Sequence, residues 1–104
     1  MSILLPGQFS PMPGSFRALT LTNSAAQALT LTAGANGLPK AALVQAVGQS
    51  VNWRDDGVAP TADVGGGMVL TAGADPSAFV GNLSTAKFIS TSVSNSTLLV
   101  SYYS

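Results

Sequence analysis

Leucine and threonine alternate in Ala18-Leu19-Thr20-Leu21-Thr22, and the same five residues recur at 28–32. A period of two puts both leucines on one face and the threonines on the other, the signature of a half-buried strand. Threonine suits the solvent face because it is β-branched yet polar. The segments 15–22 and 27–33, joined through Asn23-Ser24-Ala25-Ala26, predict a β-hairpin.

The rest of the chain extends this pattern. Asn36-Gly37 inside 34–39 is a turn signal. Residues 40–49 permit a short helix, but Ala42, Val44 and Ala46 alternate against Leu43, Gln45 and Val47, and a strand is preferred. Residues 50–54 set Val51 and Trp53 on one face, Asn52 and Arg54 on the other. The stretch 55–67 is irregular, with Asp56-Gly57, Ala59-Pro60 and three consecutive glycines, Gly65 to Gly67. Such a run marks either flexibility or a backbone path without room for side chains. Strands are expected at 68–72, 77–81, 85–91 with Phe88 as a core anchor, and 97–103. In the last, Leu98, Val100 and Tyr102 oppose Leu99, Ser101 and Tyr103. The pentapeptide Leu-Thr-Ala-Gly-Ala at 31–35 and 70–74 suggests two equivalent corners, or coincidence in so biased a composition. Seven to eight short strands without a crossover helix predict an all-β fold, a small antiparallel β-sandwich or β-barrel.

This single β domain, 15–104, follows an extended N-terminal arm, 1–14. The arm holds three prolines and two glycines. Ile3, Leu4, Leu5, Phe9 and Met12 are too apolar for a solvated tail. The arm is expected to pack against its own domain or a neighbouring copy. Leu4, Leu5, Phe9 and Met12, with Leu99 and Tyr103 on the second face of the last strand, form a candidate protein interface. The alternative is that the arm covers that strand.

Charge and composition exclude several classes. Only 8% of residues are charged and the formal net charge is zero. A nucleic-acid binder needs a basic patch, and a polybasic membrane anchor needs lysines. Zero net charge leaves little repulsion between copies, which favours association. Without cysteine or histidine there is no thiol, iron–sulfur or imidazole chemistry. No apolar run approaches a membrane span and the start does not read as a secretory signal. No cofactor and no catalytic group are expected.

The one dense polar cluster is Trp53-Arg54-Asp55-Asp56-Gly57, followed by Pro60-Thr61 and Asp63. Adjacent carboxylates can bind a cation, but the 55–66 window lacks calcium-loop spacing. The structural reading is stronger. Asp56 accepts downstream N–H groups in an Asx-type turn, Gly57 supplies positive φ, and Arg54 clamps Asp55, Asp63 or a neighbouring subunit. Trp53 reads as core rather than as a ligand platform.

The string Val51-Asn52-Trp53-Arg54-Asp55-Asp56-Gly57, with Pro60-Thr61, Leu70-Thr71-Ala72-Gly73, Phe88-Ile89 and the ending Leu98 to Tyr103, resembles small β-rich proteins of tailed bacteriophages. Their pattern is V-x-W-R-D-D-G-x-x-P-T, and the resemblance covers about 15–103. The chain departs from it at Gly65-Gly66-Gly67 and Ala74-Asp75-Pro76, which alter loop shape. The resemblance implies a non-enzymatic virion structural protein, made in the host cytoplasm and carried on the capsid surface. A head decoration or cement protein docking on the major capsid protein is the first expectation. A tail, neck or fibre-attachment component docking on another virion protein is the second. A homo-oligomer, for example a trimer at a local threefold, fits either. A carbohydrate or host-surface module using Trp53, Tyr102 or Tyr103 is the third expectation, from the aromatic residues alone.

Overall fold

The computed structural model describes residues 9–34 and 37–104. In them the chain forms β1 (Arg17–Leu21), β2 (Gln27–Ala28), β3 (Ala41–Val47), β4 (Val51–Arg54), β5 (Met68–Leu70), β6 (Ser77–Val80), β7 (Lys87–Ser90) and β8 (Ser96–Tyr103). A single 3-10 turn, Leu83–Thr85, precedes β7, its start capped by the Asn82 carboxamide oxygen, which accepts the Ser84 N–H at 3.1 Å. The strands make two four-stranded sheets, β1-β8-β3-β6 and β2-β7-β4-β5. Every pairing is antiparallel.

The sheets face each other across one core, so of the two expected architectures the chain is a sandwich. No strand ladder joins them among the described residues. Single backbone bonds draw the flanks together, Ser90 N–H to Thr22 O at 3.0 Å and Gly73 N–H to Ala46 O at 2.9 Å. The core takes Leu21, Val44, Leu98, Val100 and Phe79 from the first sheet and Val51, Leu70 and Phe88 from the second. Phe88 is fully buried, as its strand pattern predicts. Trp53, Phe79 and Phe88 form an edge-to-face series, with centroids 4.6 and 5.6 Å apart. Such contacts add about 1 kcal/mol each beyond area burial.

The predicted hairpin between 15–22 and 27–33 does not form. β1 pairs with β8 in the first sheet, and the two-residue β2 pairs with β7 in the second. The intervening residues carry the chain from one sheet to the other. Leu29 is nevertheless buried and Leu31 packs on the core. Two facing sheets satisfy the leucine alternation as well as two neighbouring strands do, so periodicity cannot choose the partner. The Gln27 side-chain amide donates to Thr20 O at 2.9 Å across this crossing. The two Leu-Thr-Ala-Gly-Ala corners are not equivalent either, since Leu70 ends β5 whereas Leu31 lies outside any strand.

The arm divides. Residues 1–8, with Leu4 and Leu5, lie outside the described residues. The remainder runs beside the end of β8. Ser10 and Ser104 exchange N–H to O bonds of 2.9 Å in both directions, and Met12 N–H reaches Tyr102 O at 3.0 Å. The Met12 side chain packs against the core. Ser15 Oγ donates to Tyr102 O at 3.2 Å and bridges the step into β1. In this stretch the arm adds to its own sheet. The predicted turn at 34–39 survives as a Gly34–Gly37 bridge with bonds of 2.8 and 3.1 Å, its Asn36 being outside the described residues.

Candidate functional site: a roofed sheet, a bare sheet and a cleft

The irregular stretch 55–67 folds back over the outer face of the second sheet. Asn52, on the strand face opposite Val51 and Trp53, is 2% exposed beneath it. Its side-chain NH2 donates to Thr61 O and Asp63 O, both at 2.9 Å. Ile89, its neighbour on β7, is buried with it, and so is Pro60. The triple glycine makes this seat possible. A Cβ on Gly67 would stand 2.7 Å from Trp53 O, and one on Gly66 would stand 2.4 Å from Thr61 O. The run is therefore a close backbone path, one of the two readings its sequence allowed.

At the loop's start the fork of Arg54 clasps the Asp56 carboxylate through both nitrogens of one edge, with Nε to Oδ1 at 3.1 Å and Nη2 to Oδ2 closer. This corrects the expected partners Asp55, Asp63 or a neighbouring subunit. The chain bends from Asp55 onward, which turns the Asp56 carboxylate back to the guanidinium at the end of β4. Asp56 Oδ1 also accepts the Val58 N–H at 3.3 Å, the expected Asx-type turn, and Gly57 takes φ +84°. The bond from Arg54 holds the Asp56 carboxyl below its ordinary pKa and raises that of the guanidinium. Both groups are solvent-exposed, so the pair fixes loop shape more than it stabilises the fold. Among the described residues no group of acidic side chains converges on a metal-sized site.

An open cleft of about 550 Å³ lies where this loop leaves β4 and meets β5. Trp53 and Met68 form its apolar part, Arg54, Asp55 and Asp56 its polar part, and Gly65 and Gly67 its backbone part. Trp53 is half-buried, belonging both to the core edge and to the cleft, rather than wholly to the core as expected. Met68, 64% exposed, is a cleft residue that sequence reasoning missed; its position at the start of a strand gave no signal.

Among the described residues the first sheet carries no such roof. Alternation against the core directs Ala18, Thr20, Leu43, Gln45, Val47, Ala78, Val80, Leu99, Ser101 and Tyr103 outward, and none is charged. Val47 and Val80 are exposed, Leu43, Leu99 and Tyr103 half-buried. The candidate interface residues therefore separate. Leu99 and Tyr103 lie on this bare face, Met12 is packed inward, and Phe9 is half-buried beside the end of β8.

Tyr102 lies in the core at 4% exposure, away from the cleft. Burial pushes its phenol pKa up, against smaller opposite pulls from the Arg17 charge and the Thr30 backbone. A folded-state value above the unfolded one means the linked stability is intact below the phenol's ordinary pKa and is lost as pH rises through the folded value. Melting curves from about pH 8 to 12 should show an alkaline loss in the wild type that is smaller in Tyr102→Phe.

Compared with family models, curated proteins and solved structures, the chain matches none.

Proposed function

We propose that the protein is a non-enzymatic structural subunit of a tailed-bacteriophage virion, a head decoration protein that docks on the major capsid protein. The observation that carries this reading is the outer face of the first sheet. It is uncharged over all four strands while the corresponding face of the second sheet is covered by the chain's own loop. With strands about 4.8 Å apart and about 3.3 Å per residue, the bare face spans on the order of 400 Å². Its apolar share comes from the exposed Val47 and Val80 and the half-buried Leu43 and Leu99, and clustered exposed apolar residues of this kind mark protein contact sites. The V-x-W-R-D-D-G-x-x-P-T resemblance supplies the virion context, and its residues build the loop that covers the second sheet. Zero net charge allows many copies to lie close together. Among the described residues no helix is long and apolar enough to cross a membrane.

Co-sedimentation of the purified chain with assembled, undecorated phage shells tests the proposal. The wild type should pellet with shells. Val47→Lys and Leu99→Lys each place a charge on the bare face and should weaken binding by about 30-fold or more, as for a desolvated interface charge. Val47 is 44% exposed, so its variant should keep the wild-type melting temperature. Wild-type chain that ignores shells but binds tails would replace the head reading with the tail one. Binding unchanged in both variants would remove the bare face from the proposal.

A further inference from the structure

We propose that the cleft beside Trp53 is a binding site for neutral hexose oligosaccharides. Its apolar wall is an aromatic held in place before any ligand arrives. Trp53 meets Phe79 edge to face at 4.6 Å and 73°, and Phe79 meets Phe88 at 5.6 Å. An indole braced on that series loses little freedom when a flat ring stacks on it. The other wall is equally fixed. The Gly67 backbone lies so close to Trp53 O that no Cβ fits, so the loop cannot slide along the strand.

The polar groups choose the ligand class. Arg54 and Asp56 are locked together, which presents donors and acceptors side by side at the rim. Asp55 adds a carboxylate. Sugar hydroxyls both donate and accept, and the C–H face of a pyranose is apolar, so one ring matches an indole wall and a mixed rim together. One cation against two carboxylates gives the cleft a net charge of −1, from +1 for Arg54 and −2 for Asp55 and Asp56. That disfavours phosphates, sialic acids and sulfated glycans. The volume of about 550 Å³ falls within the range of small-ligand sites. Tyr102 is buried beside a pocket of only about 30 Å³ and Tyr103 lies on the bare face, so of the three aromatics considered from sequence only Trp53 lines a cleft of ligand size.

The site belongs to the second sheet's layer and the bare face to the first. A copy docked through the bare face therefore keeps the cleft open to solvent, and repeated copies turn a weak single-site affinity into avid attachment. The inference goes beyond the docking reading and does not depend on it, because the free chain binds equally well.

Trp53 is the only tryptophan, so its intrinsic fluorescence reports on this cleft alone. The full chain is titrated with glucose, galactose and mannose oligosaccharides, with sialylated and sulfated glycans, and with an uncharged aliphatic peptide. A saturable spectral change with at least one neutral oligosaccharide, weakened about tenfold in the exposed-loop variant Asp55→Ala, is the expected result. Response to acidic glycans only, to the peptide only, or to none of the probes overturns the proposal. Equal neutral-sugar binding by wild type and Asp55→Ala overturns the assigned rim. Shell binding is measured on the same samples, so failure of the sugar site and failure of the docking reading are seen separately.

Discussion

Asn52→Asp is expected to cost about 3–5 kcal/mol, a large share of the roughly 5–15 kcal/mol that holds a domain this size together. The change replaces an NH2 by an oxygen and alters almost no volume. In the wild type that NH2 donates to Thr61 O and Asp63 O, and the residue is 2% exposed. Aspartate would aim a buried carboxylate oxygen at two carbonyl oxygens and take a donor from each, Asp63 O keeping only the Gly66 N–H. Each lost partner costs about 1–3 kcal/mol, and an unpaired buried charge adds more. The loop over the second sheet should lift, exposing Ile89 to solvent. Urea denaturation at neutral pH, read by Trp53 fluorescence, checks this against Asn52→Ala, which loses the donors without adding charge and should fall between. The aspartate deficit should shrink toward acid pH, where a protonated carboxyl regains one donor. A variant as stable as the wild type would show that the loop is not seated through Asn52.

Gly66→Ala is expected to have the second largest effect, about 3 kcal/mol. Its added methyl would lie 2.1 Å from Thr61 Oγ1, 2.4 Å from Thr61 O and 2.9 Å from Asp63 O. The hydroxyl can rotate away, but the two carbonyls belong to the backbone that Asn52 grips. Gly66 N–H itself bonds Asp63 O at 2.9 Å, and Gly66 O accepts the Thr61 N–H at 3.0 Å. No local shift relieves the contact without breaking these bonds. Gly65→Ala is the matched control. Gly65 has φ +84° and open space around it, so alanine there costs only backbone strain of about 1–2 kcal/mol. Thermal melts of the two variants should rank Gly66→Ala well below Gly65→Ala. The reverse order would mean that the glycine run is chosen for its dihedral angles rather than for close approach.

Both expectations concern contacts that the sequence hides, and this shows where its legibility stops. The alternation in Ala41–Val47 and Ser96–Tyr103 announced strands and sorted their residues into two faces, because a period of two is a property of a few consecutive residues. Partner choice is not local. Leu19 and Leu21 look the same whether the next strand is β2 or β8, and the hairpin expectation failed there. Asn52 alternates like an exposed residue and is buried only because a loop nine to eleven positions further on returns over it. The Arg54–Asp56 clasp was more accessible, since the two residues stand only two positions apart. The Trp53 cleft was half visible. The aromatic and the carboxylates stood in the sequence, whereas Met68 joined them only through the pairing of β4 with β5.

The strand order of the first sheet governs when this molecule can fold. β8 holds the middle, between β1 and β3, although it is made last. Until Tyr103 has left the ribosome, Leu19 and Leu21 of β1 have no strand to pair with, and β3 has only β6. A nascent chain must therefore carry β1 unpaired, and β3 with one edge open, through most of its synthesis. Pairing β1 with β8 then joins Arg17 to Val100 across nearly the whole chain, a slow contact to form.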